Sequence, residues 1–347
     1  MSALRDHVGR RLRAEYAEAT PDERALVVSR DREDPLLDPQ TPTPDEARQI
    51  WEYLEAARSE ATRAAYRSSL ADFTAWCQAR GLLALPAEPG TVARYLVDRA
   101  TTLKVSTLTR RLAAISQAHQ AKGAESPTSA LLVRKVLAGI RRVRGVAQQG
   151  KAPLLPDDLR LMVAQLGEGL GDRRDCALLL LGFAGALRRS ELVGLDVGDL
   201  EARPQGLVIT VRRSKTDQEG AGRRLGVPRG RDPRLCPARA VAAWVEAAGL
   251  TTGPLFRPVD RHGNVSSERL ADYTVVRVVK RLVAAIGLDP DDYGGHSLRA
   301  GLATAAAAAG KAERDIMRQT GHRSVTMLRR YIREGELFRD NAAEGLL

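Results

Sequence analysis

Between Leu131 and Lys151 the chain carries six basic side chains (Arg134, Lys135, Arg141, Arg142, Arg144, Lys151) and no acidic one, and the run GVAQQGKAPLL that follows Arg144 is polar, with two glycines and a proline. A charge run of this kind, ending in a polar stretch with glycines and a proline, reads as a linker. It therefore divides the 347 residues into two bodies, each long enough to bury a core of its own.

The patterns on the two sides differ. From Ile50 onward apolar residues recur at helical spacing: ATRAAYRSSLADFTAWCQARG places Ala65, Tyr66, Leu70, Phe73, Trp76 and Cys77 on one face and stops at Gly81. EPGTVARYLVDRA, VSTLTRRLAAISQAHQAKG (with Ser106 as expected N-cap) and SALLVRKVLAGIRRVRG complete a domain of four to five helices. Beyond the linker, helices such as DDLRLMVAQL and DCALLLLGFAGAL alternate with a β-like insert, GLVITVRRSKTDQEGAGRRLGVP, in which LVITV is strongly strand-like. A mostly helical domain with a small antiparallel sheet is expected, and GLATAAAAAG reads as one close-packed helix. Residues before about 45 are charged and end in a proline-rich run, so a leader without a fixed core is expected there.

With 54 Lys+Arg against 43 Asp+Glu the chain has a net charge of +11, which favours a polyanionic partner, nucleic acid first among them. Cys77, Cys176 and Cys236 are too far apart for paired metal-ligand spacing and fit a reducing, cytoplasmic compartment. The first 25 residues lack the apolar core of a signal peptide, and no run of 18 apolar residues occurs, so no membrane role is expected.

Four segments hold residues suited to chemistry. In GALRRSELVGL, Arg188 and Glu191 lie three apart and share a helical face, the spacing of an ordinary surface salt bridge. RRSKTD places Lys215 just after a strand, where a lysine is usually a solvated turn residue. YGGHSLRAG sets His296 and Arg299 three apart behind two glycines, at an expected helix start. In GHRSVTMLRRYIR, His322 and Tyr331 are nine residues apart and would face opposite sides of one straight helix, but Gly321 is a natural terminator and Ser324 a natural N-cap, so a break there allows them to converge.

Together the segments supply two arginines, a lysine, two histidines and a tyrosine. Asp289, Asp291 and Asp292 share one loop and read better as caps of the next helix than as metal ligands, so no acidic metal cluster is expected there. A phosphodiester attacked by a phenol needs its non-bridging oxygens neutralised and two protons moved. Arginine forks match phosphate oxygens, and histidine or lysine can carry the protons.

The ordered series LRRSEL, SKTD, HSLR and GHRSVTMLRRYIR resembles the signature of the tyrosine site-specific recombinases, the phage integrase family, and WCQARGLLALPAEPGTVARYL with STLTRRLAAISQAHQAKG resembles the core-binding domain of its Cre-like members. The likeness covers roughly residues 48 to 340. It implies a mostly α fold: a flexible leader (1–45), a helical SAM-like core-binding domain (46–145), a linker (146–152) and a mainly α catalytic domain with a small antiparallel sheet, the DNA breaking-rejoining fold (153–347).

The resemblance further implies that Tyr331 is the nucleophile of a 3′-phosphotyrosyl link and that Arg188 and Arg299 hold the scissile phosphate. It makes Lys215 the general acid at the 5′-oxygen, has His296 assist proton transfer at the tyrosine, has His322 bond a phosphate oxygen, and leaves Glu191 to orient its neighbours. Some relatives carry tryptophan where this chain has His322. Neither ATP nor metal is required, because the phosphotyrosine conserves the bond energy. Arg110, Arg111, Lys135, Arg141 and Arg142 are expected on DNA phosphates. The implied partner is duplex DNA with an inverted-repeat site, bound by a protein that is monomeric when free and tetrameric on two sites. Its tail, with Leu337, Phe338, Ala342, Leu346 and Leu347 as an apolar stripe, would dock on a neighbouring protomer. The competing readings are a type IB topoisomerase and a non-catalytic DNA-binding protein on the same fold; the Cre-like first domain argues against one and the intact residue set against the other.

Overall fold

A computed structural model describes residues 45, 46, 48, 49, 52, 53, 59–145, 150–212, 222–322, 324, 325 and 329. The expected leader, Lys215, Tyr331, the tail and most of the linker lie outside these residues. The chain divides into two compact units, Met1–Gln148 and Gln149–Leu347. No helix among the described residues is long and apolar enough to cross a membrane.

The first unit is built from helices α1 (Glu60–Gln78), α2 (Pro89–Ala100), α3 (Val105–Ala121) and α4 (Leu131–Arg144). Ser59 caps α1, its hydroxyl accepting the Thr62 amide. On the expected face of α1, Phe73, Trp76 and Cys77 are buried, whereas Ala65, Tyr66 and Leu70 are half-buried. They pack with Tyr95, Leu96, Leu108 and Ile115, each contributing about 1.5–3 kcal/mol where a large apolar side chain is fully removed from water. Tyr95 meets Phe73 and Trp76 edge-on, with centroids 5.0 and 5.3 Å away. Helix α3 begins one residue before the expected cap. Lys104 takes the extended cap conformation and its carbonyl accepts from Thr107 and Leu108, so Ser106 falls inside the first turn instead of capping it.

The second unit is organised around α6 (Leu170–Ala184), which follows α5 (Pro156–Ala164). The run Ala177–Gly182 is buried throughout, so the later half of α6 has no polar face and serves two cores at once. One lies against the sheet and α8 (Pro237–Ala247) and includes Trp244 and Phe256; the other lies against α5 and α9 (Asp272–Ala285) and includes Met162, Val279 and Leu298. The first of these cores also takes in the short helix α7 (Arg189–Gly194) and one face of an antiparallel sheet in the order β1 (Leu200–Arg203), β2 (Gly206–Val211), β3 (Arg223–Pro228). The LVITV run is the central strand. Strand β1, LEAR, has no strand signature of its own and is held by pairing Leu200 with Ile209 and Arg203 with Gly206.

The alanine-rich segment forms α10 (Ser297–Ala308), and α11 spans Glu313–Thr320. Close packing explains the small residues: a Cβ placed on Gly301 would lie 1.8 Å from the Leu154 carbonyl oxygen. Asp289 caps the 3-10 turn Pro290–Asp292 through the Asp291 amide, whereas Asp291 pairs with Lys280 at 2.6 Å.

Candidate active site

The site begins where α6 ends. After Ala184 the chain passes through Gly185 to Ala186, whose φ of +46° is left-handed and uncommon for a residue with a side chain. Two residues later Arg188 adopts the extended cap conformation and starts α7. The spacing of Arg188 and Glu191 is thus a helix-start relationship, not two turns of one surface face. Glu191 Oε2 accepts the Arg188 amide at 3.0 Å, and Oε1 accepts Arg188 Nη1 at 2.5 Å. The Glu191 residue is only 4 % exposed. Burial pushes its carboxyl up, but the hydrogen bonds from Arg188 and the charges of Arg188 and Arg223 outweigh that and hold it below the usual carboxylate value.

Helix α10 contributes the next pair. His296 stands at its N-cap, exposed, as the two glycines before it foretell. Arg299, one turn on, is 1 % exposed, and its Nη1 donates to the Ala186 carbonyl at 2.8 Å. The unusual backbone at Ala186 therefore turns a carbonyl toward one arginine just before delivering another.

Helix α11 stops at Gly321, which is left-handed at φ +66°. Val325 is again helical, so the expected break is present. His322 follows the break, with Nδ1 2.8 Å from the Thr320 hydroxyl. That hydroxyl also lies 2.7 Å from the Ile316 carbonyl, which can only accept. When that hydroxyl gives its single proton to Ile316, the ring donates from Nδ1 and keeps a lone pair at Nε2.

The two feet of the β2–β3 connection are both arginines pinned to this region. At the end of β2, Arg212 Nη2 donates to Asp196 at 2.5 Å and to Asp199 at 2.8 Å. At the start of β3, Arg223 Nη2 reaches Glu191 Oε2 at 3.2 Å and Nη1 reaches the Gln319 carbonyl at 2.9 Å. Gln319 answers with its own side chain, donating to the Ala184 carbonyl at 2.7 Å and to Gly226 of β3 at 3.1 Å. Arg212, Arg223 and Gln319 were not singled out from sequence. In RRLGVP the first arginine looks like any strand cation, and nothing local distinguishes it from Arg224.

Electrostatics tie the pieces together. Burial first, then the charges of Arg299, Arg188, His296 and Arg223, push His322 down to about 4. Groups at the start of α7, in α10 and at its N-cap, and at the start of β3 thus act on one imidazole, that of the turn after α11. The cluster is strongly cationic, and its buried carboxylate, Glu191, is already shared by two guanidiniums. Such a constellation is suited to an incoming anion with several oxygens, a phosphate above all.

In the first unit, Arg110, Lys135, Arg141 and Arg142 are exposed. Arg141 Nη2 lies 3.4 Å from Thr109 Oγ1, next to Arg110, and so brings the basic parts of α3 and α4 together. Arg111 is differently placed: its side chain is 14 % exposed, it pairs with Asp72, and its Nη1 lies 2.5 Å from the Tyr95 hydroxyl. That hydroxyl donates to Asp72 at 2.7 Å, and burial together with this bond holds the phenol up at about 12. Arg111 is therefore part of an internal network.

Comparison with known proteins agrees with this geometry. The model of the phage integrase family matches residues 153–336, and that of the phage integrase N-terminal SAM-like domain matches residues 48–126. An integrase/recombinase xerD homolog from Selenomonas ruminantium is 41 % identical over 293 residues, covering 83 % of this chain and 86 % of that protein. The recombinase cre of Escherichia phage P1 is 25 % identical, covering 80 % and 85 %. Among solved structures, the XerH site-specific recombinase bound to its palindromic difH substrate has the same fold, with a TM-score of 0.56 at 16 % identity over 75 % of this chain and 72 % of that one. With both halves of the chain matched and the arginines and histidines assembled around one anion-seeking site, the chain belongs to the phage integrase family of tyrosine recombinases.

Proposed function

We propose that this protein is a site-specific DNA recombinase in which Arg188 and Arg299 hold the scissile phosphate while Tyr331 attacks it. The observation that carries the reading is the convergence of Arg188, Arg223, His296 and Arg299 on His322. Attack by the phenolic oxygen forms the 3′-phosphotyrosyl bond and releases the 5′-oxygen, which takes its proton from Lys215. Attack of a 5′-hydroxyl on that bond reverses the step on a new partner strand, passing through a Holliday junction. His296, exposed at the start of α10, assists removal of the phenolic proton. Glu191 keeps the Arg188 fork aimed. The preorganised arginines matter most, because charge accumulates on the non-bridging oxygens as phosphorus becomes five-coordinate.

His322 has a subtler part. In the free protein burial and the surrounding cations keep it neutral, with Nε2 as an acceptor. An anionic phosphate offsets those cations, the ring takes up a proton, and Nε2–H then donates to a phosphate oxygen. The partner is duplex DNA with an inverted-repeat site, contacted by Arg110, Lys135, Arg141 and Arg142, with Arg111 bracing α3 from within. Assembly is a tetramer on two sites, built from protomers that are monomeric when free, in the cytoplasm where the DNA lies.

The decisive experiment uses a nicked duplex carrying the site recovered by selection from a randomised duplex library. Wild-type protein accumulates a covalent complex on it; Tyr331→Phe binds equally well and forms none. Covalent trapping by the phenylalanine variant refutes the assignment.

A further inference from the structure

We propose that Arg223 is a positioning residue for DNA cleavage: its guanidinium joins the carboxylate that aims Arg188 to the last turn of α11, setting the phosphate-binding arginine and the histidine-bearing turn in one register. The proposal rests on the reading of this site as the phosphate-cleaving centre.

The geometry behind it is a three-way junction. Among the described residues, Glu191 Oε1 is engaged by Arg188 Nη1, whereas Oε2 is shared by the Arg188 amide and Arg223 Nη2. The planar fork of Arg223 allows its other terminal nitrogen to reach the Gln319 carbonyl, two residues before Gly321. A lysine, with one nitrogen, cannot hold the same two acceptors in the same geometry. The fork also lies against the turn itself: a Cβ on Gly321 would come within 3.0 Å of Arg223 Nη1 and 3.1 Å of its Cζ. Glycine at 321 therefore answers two demands, a left-handed backbone and room for a guanidinium beside it. The Gln319 side chain closes the junction from the opposite direction onto Gly226 and Ala184. Three chain segments distant in sequence, 184–191, 223–226 and 319–322, are thus fixed by bonds that all pass through Arg223 or its immediate acceptors.

Without Arg223, Glu191 retains its bonds to Arg188, but among the described residues the direct hydrogen bonds left between the 184–226 region and the end of α11 are those of the Gln319 side chain, with the packing of α10 on α11 beside them. Small misplacements of catalytic groups cost about 100-fold in rate even when substrate binding is preserved. The charged and titratable groups acting on His322 are Arg188, Arg223, His296 and Arg299. Charge removal at 223 therefore has a signature separate from geometry.

The test compares Arg223→Gln, Arg223→Lys and Arg188→Ala on the nicked duplex bearing the selected site. Measured are duplex affinity, single-turnover cleavage rate and the His322 titration by NMR in the free protein. Arg223→Gln should bind within about threefold of wild type, cleave roughly 100-fold more slowly, and titrate His322 above its wild-type value. Arg223→Lys, which keeps the charge but not the fork, should leave the titration unchanged and cleavage still slow. Wild-type cleavage by Arg223→Gln overturns the proposal, and so does full rescue by lysine, which reduces the role to bare charge. Should the glutamine variant lose its cooperative melt, the lysine variant alone decides. Undiminished cleavage by Arg188→Ala refutes the reading of the site itself, a different failure from that of Arg223.

Discussion

Arg299 is bound to the backbone that delivers Arg188: its Nη1 donates 2.8 Å to the carbonyl of Ala186, a residue at φ +46° standing two positions before Arg188. The two arginines proposed to hold the phosphate are thereby set relative to each other through three residues of chain rather than through flexible side chains alone. Their separate removal should affect the same step. Arg188→Ala and Arg299→Lys should each raise the cleavage barrier by on the order of 3 kcal/mol, about a hundredfold in rate, while duplex affinity falls much less because many basic residues share it. Single-turnover kinetics beside a binding isotherm check this; equal losses in both quantities would point to a binding role only.

The folded protein should lose stability in acid through His322. Its value is depressed from 6.5 to about 4, so protons favour the unfolded chain. The contribution of the neutral ring is complete above about 6.5, is lost progressively as pH falls to about 4, and changes no further below that. Denaturant midpoints across this window should fall more steeply for wild type than for His322→Gln; parallel curves contradict the assignment. NMR of the ring nitrogens at neutral pH should also show the proton on Nδ1.

Binding of DNA should carry a proton with it. If phosphate raises the His322 value, the complex holds more protons than its parts, and affinity increases as pH drops from about 7 toward 5. Calorimetry in buffers of different ionisation enthalpy should detect the uptake in wild type and find it diminished in His322→Gln. Identical uptake by both proteins removes His322 as its source.

Truncation after Glu336 should separate binding from assembly. The apolar residues Leu337, Phe338, Ala342, Leu346 and Leu347 are removed while Tyr331 remains. Single-site binding should persist, and the four-protein complex on two duplexes, with strand exchange, should vanish. A truncated protein that still assembles and recombines means the tail is dispensable.

The sequence revealed the helices and the site's arginines and histidines because each carries a local mark: a periodic apolar face, a glycine pair before His296, a terminator before His322. Tertiary pairing is what it concealed. Strand β1 exists because β2 pairs with it, and Lys104 rather than Ser106 caps α3 because the backbone turns there. Arg188 looked like one end of a surface ion pair, since its spacing from Glu191 is the same in a helix interior and at a helix start; burial of Glu191 decides between them. Arg111 and Arg223 were indistinguishable from their neighbours Arg110 and Arg224 by sequence, yet one side chain of each pair turns inward to a carboxylate buried or half-buried in its unit.

The clamp on Arg212 gives the expected general acid a short tether. Lys215 lies three residues beyond a side chain held by both Asp196 and Asp199, and a chain spans at most about 3.6 Å per residue. Its Cα is therefore confined to a sphere of about 11 Å radius around that of Arg212, while Gly222 lies seven positions further on, on the other side. The reach of the lysine is set by the shorter arm alone. Natural variation in the length of this connection should accumulate on the longer arm, where added residues do not alter the distance from the clamp to the proton donor.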